Sequence, residues 1–263
     1  MHFDWPFFWH YLLAPSETYL HGLTLTVVLS VVSQALGTVV GLFAALGRQS
    51  RLAPLRGLVG LYIWVMRGTP LLVQIVFIYT GLAAADLFRF YDIDLGVIVV
   101  PGNVQAAVLA LSLNEGAYMA EIIRAGIASV DSGQTEAAKS VGMTYALLMR
   151  RIVLPQAARF VVPPLGNEFN AMLKNTTLVS VIGVQELLLS TETLTSATFR
   201  VFELYSVVAL YFLTLTTAWG FVQSRIEARF GQSLGSATTP APSFGERFFG
   251  RIGTRGPERP RAP

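Results

Sequence analysis

The chain contains no cysteine, which excludes a disulfide framework, thiolate metal sites and a thiol nucleophile. Charge is nearly as scarce. Only 13% of the 263 residues are charged and 53% are hydrophobic, against roughly 25% charged in an average soluble domain. Mean hydropathy is positive. The apolar residues gather in runs long enough to cross a bilayer, so the sequence reads as an all-α, polytopic membrane protein. The net charge of +3 is carried entirely by residues 231–263, which hold five Arg and two Glu, and this small excess leaves no nucleic-acid footprint. The sequence also lacks any His/Asp/Glu cluster with metal spacing and any nucleophile–base arrangement. Neither catalytic residues nor a metal is therefore expected, nor a cofactor bound by this chain. The start, MHFDWPFFWHYLLAPSE, lacks the positive n-region of a secretory signal and carries Asp4; its Trp5, Trp9 and Tyr11 suit a segment at the membrane interface.

Five spans are expected, over about 22–47, 68–85, 103–124, 160–184 and 204–225. The first is free of charge from Gly22 to Gly47. The third begins just after the breaker Pro101-Gly102. The fourth is irregular, being interrupted by Pro163-Pro164, Asn167, Glu168, Asn170 and Lys174. The positive-inside rule orients them. Arg48, Arg51 and Arg56 follow the first span, Arg124, Lys139, Arg150, Arg151 and Arg159 lie between the third and fourth, and seven Arg follow the fifth. The opposite loop, 86–102, holds Asp86, Asp92 and Asp94 against Arg89. The N-terminus is thus expected outside and the C-terminus in the cytoplasm. The expected organisation is an interfacial segment over 1–21, a transmembrane domain over 22–230 with a cytoplasmic loop at 131–155, and a disordered tail over 231–263.

That cytoplasmic loop contains GQTEAAKSVG, which comes close to the phosphate-binding pattern G-x-x-x-x-G-K-[ST]. Gly133, Lys139 and Ser140 are in register, but Ala138 stands where the pattern needs Gly to let backbone approach phosphate. The preceding AYMAEIIRAGIASVD continues a membrane helix rather than a buried strand, so nucleotide binding by this chain is not expected. A longer pattern is complete: Glu136-Ala137-Ala138, three residues, Gly142, nine residues, Ile152, one residue, Leu154-Pro155. It resembles the EAA signature, E-A-A-x3-G-x9-I-x-L-P, of ABC importer permeases. Small Ala137 and Ala138 allow a short helix to lie close in a partner's groove, and Gly142 permits the turn that follows. The segments GLTLTVVLSVVSQALGTVVGLFAAL, MRGTPLLVQIVFIY, AYMAEIIRAGI and LPQAARFVVPPLGNEFNAMLKNTTLVSVIGVQEL extend the resemblance over residues 15–230. They look like the polar amino acid subfamily of those permeases.

The resemblance implies a five-helix transmembrane fold in the bacterial inner membrane and a second permease copy, identical or paired. It also implies an extracytoplasmic amino-acid-binding protein and a separate ABC ATPase subunit, which carries the ATP and Mg and docks on the EAA loop through Glu136, Ala137, Ala138 and Gly142.

Polar residues inside the apolar field are candidates for a substrate path, because an ionised group at bilayer depth costs about 2.5–3.5 kcal/mol on insertion scales. Asn114, Tyr118 and Glu121 recur at i, i+4, i+7 on one face, and Glu121 is also placed to pair with Arg124. Arg67 most simply snorkels to the cytoplasmic surface. In the fourth span, Asn167 and Lys174 share one face while Glu168 and Asn175 share the next, with Asn170 nearby. That strip suits a zwitterion; alternatively, Glu168 and Lys174 neutralise each other. Many permeases resembling this one have Asp directly after the Lys of LK-x-T, where this chain has Asn175. That difference suggests a preference for neutral polar or acidic amino acids over Lys or Arg. Two other classes remain open: an ion-coupled secondary carrier, which also uses broken helices, and an intramembrane enzyme.

Overall fold

A computed structural model of the chain describes residues 3–96 and 99–231. It is almost wholly helical. A short α1 (Trp5–Leu13) precedes α2 (Glu17–Arg48), a helix of 32 residues. The Ser16 side chain caps the start of α2 by accepting from Tyr19 N. Glu17 in the first turn and Arg48 in the last complement the helix dipole. Along α2 the small residues Ser30, Ser33, Gly37 and Gly41 recur three or four apart and are buried.

They pack on α6 (Gly102–Ala128), the helix around which the bundle is built. A Cβ added at Gly37 would lie 2.6 Å from Glu115 Cβ, and one at Gly41 would lie 2.5 Å from Met119 Cβ. In lipid, where apolar burial contributes little between helices, such close approach of two backbones is what supplies packing energy.

Residues 48–67, expected as a cytoplasmic connection, contain a further helix, α3 (Ala53–Gly68), opened by Pro54 in its first turn. The chain then turns by 111° into α4 (Leu71–Val76), which continues through a π-helical segment (Phe77–Gly81) into α5 (Leu82–Ala84). The turn lies at Thr69-Pro70, where Thr69 is extended (φ −118°, ψ 147°), as the residue before proline is biased to be. The expected span 68–85 is therefore corrected: it is only one arm of a bent pair whose other arm is α3. Arg56 and Arg67 at either end of α3 disguised its apolar face in the sequence. A two-residue hairpin follows, β1 (Ile93–Asp94) pairing antiparallel with β2 (Val99–Val100). Asp92 Oδ1 accepts from Gly102 N at 2.8 Å, at the start of α6.

After α6 come the short helices α7 (Ser132–Ser140) and α8 (Tyr145–Leu148), a π-helical segment (Met149–Val153) and α9 (Leu154–Asn175). Pro163 and Pro164 lie inside α9 without ending it, which corrects the expected interruption. A neighbouring helix, α11 (Val201–Gly231), meets carbonyls on this stretch. Trp219 Nε1 donates to Gly166 O at 2.8 Å, and Gln223 Nε2 reaches Pro163 O at 3.5 Å. The helix ends at Asn175 and a 3₁₀ segment carries the chain to Ile182, so the expected helix over 160–184 is likewise earlier and shorter.

The helix α10 (Leu187–Thr198), not expected from the sequence, packs on the start of α2. Among the described residues, α2, α6 and α11 are long and apolar enough to cross a membrane, and α3 with its bent continuation would make a fourth if that pair is one span. The expected tail lies outside the described residues from 232 onward. The main core gathers Leu29, Ile75, Ala107, Leu111, Met172 and Val179 from α2, α4, α6, α9 and the 3₁₀ segment.

Candidate functional site

The loop carrying the EAA pattern is built as a helical hairpin. Asp131 caps α7 by accepting from Gly133 N at 2.7 Å. Glu136 and Ala137 are exposed, whereas Ala138 is buried against Leu148 and Val153. Gly142 has φ +78°, a left-handed conformation that glycine adopts without strain. An added Cβ there would meet nothing within 4 Å, so the requirement for glycine is conformational rather than steric. Lys139 and Ser140 close a helix here instead of cradling a phosphate: Ser140 Oγ donates to Ala137 O at 2.8 Å.

The intramembrane polar residues divide between α6 and α9. On α6, the Asn114 amide donates to Gln74 Oε1 at 3.0 Å and to Met66 O at 3.2 Å, holding the α3–α4 bend. Gln74 Nε2 donates to Met66 O, Thr69 O and Thr69 Oγ1 at 2.8, 3.1 and 2.8 Å. Tyr118 lies beneath Arg67, whose guanidinium carbon is 5.2 Å from the ring centroid. Arg67, in the last turn of α3, is exposed beside α6. Glu121 is bound by Arg124 at 2.7 Å.

On α9, Asn167 accepts from Gln223 Nε2 of α11 at 3.1 Å. Glu168 is half-buried and Lys174 exposed. No ion pair joins these two, or involves either of them, among the described residues. Asn170 Oδ1 is buried without a hydrogen-bond partner. Asn175 closes the last turn of α9 and is half-buried.

Three buried carboxyls, Glu115, Glu186 and Glu203, were passed over in the sequence. Glu115, 4% exposed, accepts from Gln34 Nε2 at 2.7 Å across the α2–α6 contact. Glu186 is fully buried and caps α10, accepting from Leu188 N and Leu189 N at 2.9 and 2.8 Å. Burial pushes the Glu186 carboxyl up to about 7, against the lowering effect of those two donors. Around it, Leu187 N donates to Thr26 Oγ1 at 3.1 Å, and the Tyr19 and Thr191 hydroxyls share a 2.9 Å bond. The recurrence of Gln34 with Ser30, Ser33, Gly37 and Gly41 was the available signal for the first site; a lone Glu186 within VIGVQELLLS offered none for the second. Among the described residues no group of three His, Asp or Glu is placed to hold a metal ion.

Residues 37–232 match the family described as "Binding-protein-dependent transport system inner membrane component". Among curated proteins, the arginine transport system permease protein ArgU of Corynebacterium glutamicum is 38% identical over 208 residues, which are 78% of this chain and 66% of that protein. The glutamine transport system permease protein GlnP of Escherichia coli K12 is 34% identical, covering 87% of this chain and 98% of that protein. The octopine transport system permease protein OccM of Rhizobium radiobacter is 42% identical, covering 82% and 85%. A solved structure described as an amino acid ABC transporter with histidines superposes with a TM-score of 0.76 at 39% identity. It covers 87% of this chain and all of that one. The MetNI methionine transporter in an inward-facing conformation shares the fold at 16% identity, with a TM-score of 0.64.

Proposed function

This chain belongs to the binding-protein-dependent transport system inner membrane components, and from that premise we propose that it is the membrane-spanning subunit of an ATP-driven importer of amino acids. The observation that carries the reading is the near full-length likeness, in sequence and fold together, to an amino acid ABC transporter. Permeases named for arginine, glutamine and octopine stand at comparable identity, so the cargo is read at the level of the amino acid class. The protein is a multi-pass membrane protein, a transport subunit.

In this reading α2, the bent α3–α4 pair, α6, α9 and α11 make five crossings. The N-terminus is outside and the C-terminus in the cytoplasm. Residues 131–155 dock on a separate ATPase dimer through the exposed Glu136 and Ala137, the buried Ala138 beneath them and the turn at Gly142. ATP and Mg are held by that partner, and no cofactor is held by this chain. A binding protein delivers substrate from outside, and a second permease copy completes the pore. Tyr118, Glu121, Asn167, Glu168, Asn170, Lys174 and Asn175 are the path candidates, of which Glu121 is engaged by Arg124 and Asn167 by Gln223.

Uptake into proteoliposomes holding the permease with its ATPase, and supplied with the binding protein, tests this. Amino acid accumulation is expected to require internal or external ATP at the ATPase face and to survive collapse of ion gradients by ionophores. Accumulation driven by an ion gradient without the ATPase would contradict it and return the secondary carrier. The absence of cysteine makes orientation readable: a single Cys at Ser50 is expected to be labelled only from the cytoplasmic side, and one at Asp92 only from outside.

A further inference from the structure

Between Glu17 and Asp86 the sequence holds no Asp or Glu, yet it holds Arg48, Arg51, Arg56 and Arg67. Three of these arginines gather within nine residues, at the turn from α2 to α3. Arg48, the last residue of α2, folds back across that turn onto α3, where its Nη1 would lie 2.8 Å from a Cβ added at Gly60. Arg56 of α3 reaches the opposite way, its Nη1 donating to Ser50 O at 3.3 Å. Arg56 and Gly60 are one helical turn apart on the same face, so the two guanidiniums are drawn toward one place from opposite sides. Arg51 stands exposed in the turn between them. Gly57 leaves the adjoining surface of α3 open, since an added Cβ there would meet nothing within 4 Å.

No carboxylate neutralises this notch. Among the described residues Arg48, Arg51 and Arg56 form no ion pair. Glu121 of α6 feels the charge of Arg48, but Arg124 binds that carboxylate at 2.7 Å. Like charges brought together without a counter-ion repel, so the arrangement calls for an anion from outside the chain. The surface beyond the notch says which kind. Along α3 away from the turn, Leu58, Leu61 and Trp64 are all exposed, an apolar strip that begins beside the arginines. From Arg56 to Trp64 is about 12 Å of helix, within the reach of one acyl chain. A free anion would engage the arginines and leave the strip unused; a phospholipid uses both.

We propose that the α2–α3 turn is a binding site for an anionic phospholipid. Arg48 and Arg56 receive the phosphate with Arg51 beside them, and an acyl chain lies along Leu58, Leu61 and Trp64. Arginine suits the role because its planar fork meets phosphate oxygens in paired hydrogen bonds. The phosphate bridges the end of α2 and the start of α3 and offsets the repulsion there. The site does not depend on the importer reading: it holds or fails whichever solute the protein moves.

Trp64 supplies the reporter. The full chain is reconstituted in phosphatidylcholine vesicles in which a rising fraction of either phosphatidylglycerol or phosphatidylcholine carries bromine at mid-chain, and quenching of Trp64 is read as the difference between wild type and Trp64→Phe. Each arginine near a lipid surface contributes about fivefold, so half-maximal quenching is expected at a fraction of the anionic lipid about 10- to 100-fold below that of phosphatidylcholine. Arg48→Gln with Arg56→Gln should narrow this preference to about fivefold or less. Arg225→Gln with Arg229→Gln, which removes the same charge from the last turns of α11, should leave it unchanged. Arg48→Lys with Arg56→Lys keeps the charge without the fork and should retain part of the preference; it decides the case if the Gln pair does not elute from gel filtration as wild type does, full retention then counting against the site. Equal quenching by the two lipids in wild type, or an unchanged preference in the folded Gln pair, overturns the proposal. An equal loss in both Gln pairs also overturns it, because net charge alone would then attract the lipid. Removal of the preference by millimolar inorganic phosphate would give the arginines to a free anion and overturn the lipid assignment.

Discussion

The α2–α6 contact and the α3–α4 bend with α9 both carry polar side chains at mid-bundle depth, and they treat them in opposite ways. Along α2–α6 the polar groups are shut in by close backbones: Gln34 and Glu115 bond to each other at 2.7 Å, flanked by Gly37 and Gly41, and Ser33 is fully buried. Beside the bend, Arg67 is exposed, Glu168 is half-buried and neither is paired. A charge retained in an apolar medium without a protein partner implies water or a ligand beside it. The first region therefore holds the bundle together, and the second leaves its charges open to water or a ligand.

Gly41→Val attacks the closed region directly and should have the largest effect. Its Cβ would lie 2.5 Å from Met119 Cβ and 2.9 Å from both Ala120 N and Gly116 O. Backbone atoms cannot yield as a flexible side-chain end can, so a loss of about 3 kcal/mol or more is expected. Thermal unfolding in detergent should show it as a fall of several degrees or a failure to purify. An unchanged midpoint would mean the two helices are less tightly joined than described.

The N-terminal end of the same helix, where α10 packs, should respond to pH. The Glu186 carboxyl has a folded value of about 7, above its ordinary 4.5, so the packed state holds the proton more tightly than the unfolded chain does. Its contribution is complete below about pH 4.5 and is lost as pH rises through about 7, on the order of 2–3 kcal/mol in all. Thermal midpoints measured across that window should fall as pH rises, with a slope flattened by Glu186→Gln. An equal slope in that variant would assign the pH dependence to another group.

Gly142→Leu should act outside the bundle altogether. At φ +78° a side chain costs about 1–2 kcal/mol in backbone strain, and the space around it is open, so the helices should still assemble while the turn after α7 is displaced. Association with the ATPase should weaken and Glu136→Ala should be milder; normal transport by Gly142→Leu would remove the docking role from this turn.

Much of this was legible in the sequence because it depends on local chemistry. The EAA pattern located the hairpin of α7 and α8, the uncharged run from Gly22 to Gly47 located α2, and Glu121 with Arg124 at i+3 proved to be a 2.7 Å pair. What escaped depends on neighbours distant in sequence. Helix α9 runs on through Pro163-Pro164, and Trp219 and Gln223 of α11 meet it at Gly166 O and Pro163 O, contacts from more than fifty residues away. Helix α3 was masked by its terminal arginines, and the placement of Arg67 over Tyr118 follows from a bend pinned by Gln74 and Asn114, forty residues apart. The smallest expected effect belongs to a residue legible only by resemblance: Asn175→Asp should shift competition modestly toward Lys and Arg, by about 1 kcal/mol or less. Preferred uptake of Arg or Lys by wild type, unchanged in the variant, would remove the charge argument.

The division between a closed contact and an open passage is tested most directly by thiol accessibility in the assembled transporter, because the chain has no cysteine of its own. Single Ala171→Cys, one turn from Glu168 on α9, and Ser33→Cys, buried in the α2–α6 contact, are compared with a water-soluble thiol reagent, with and without transported amino acid. The account predicts that Ala171→Cys reacts and is slowed by substrate, while Ser33→Cys stays unreactive in both conditions. Substrate protection at Ser33→Cys, with Ala171→Cys inert, would contradict it.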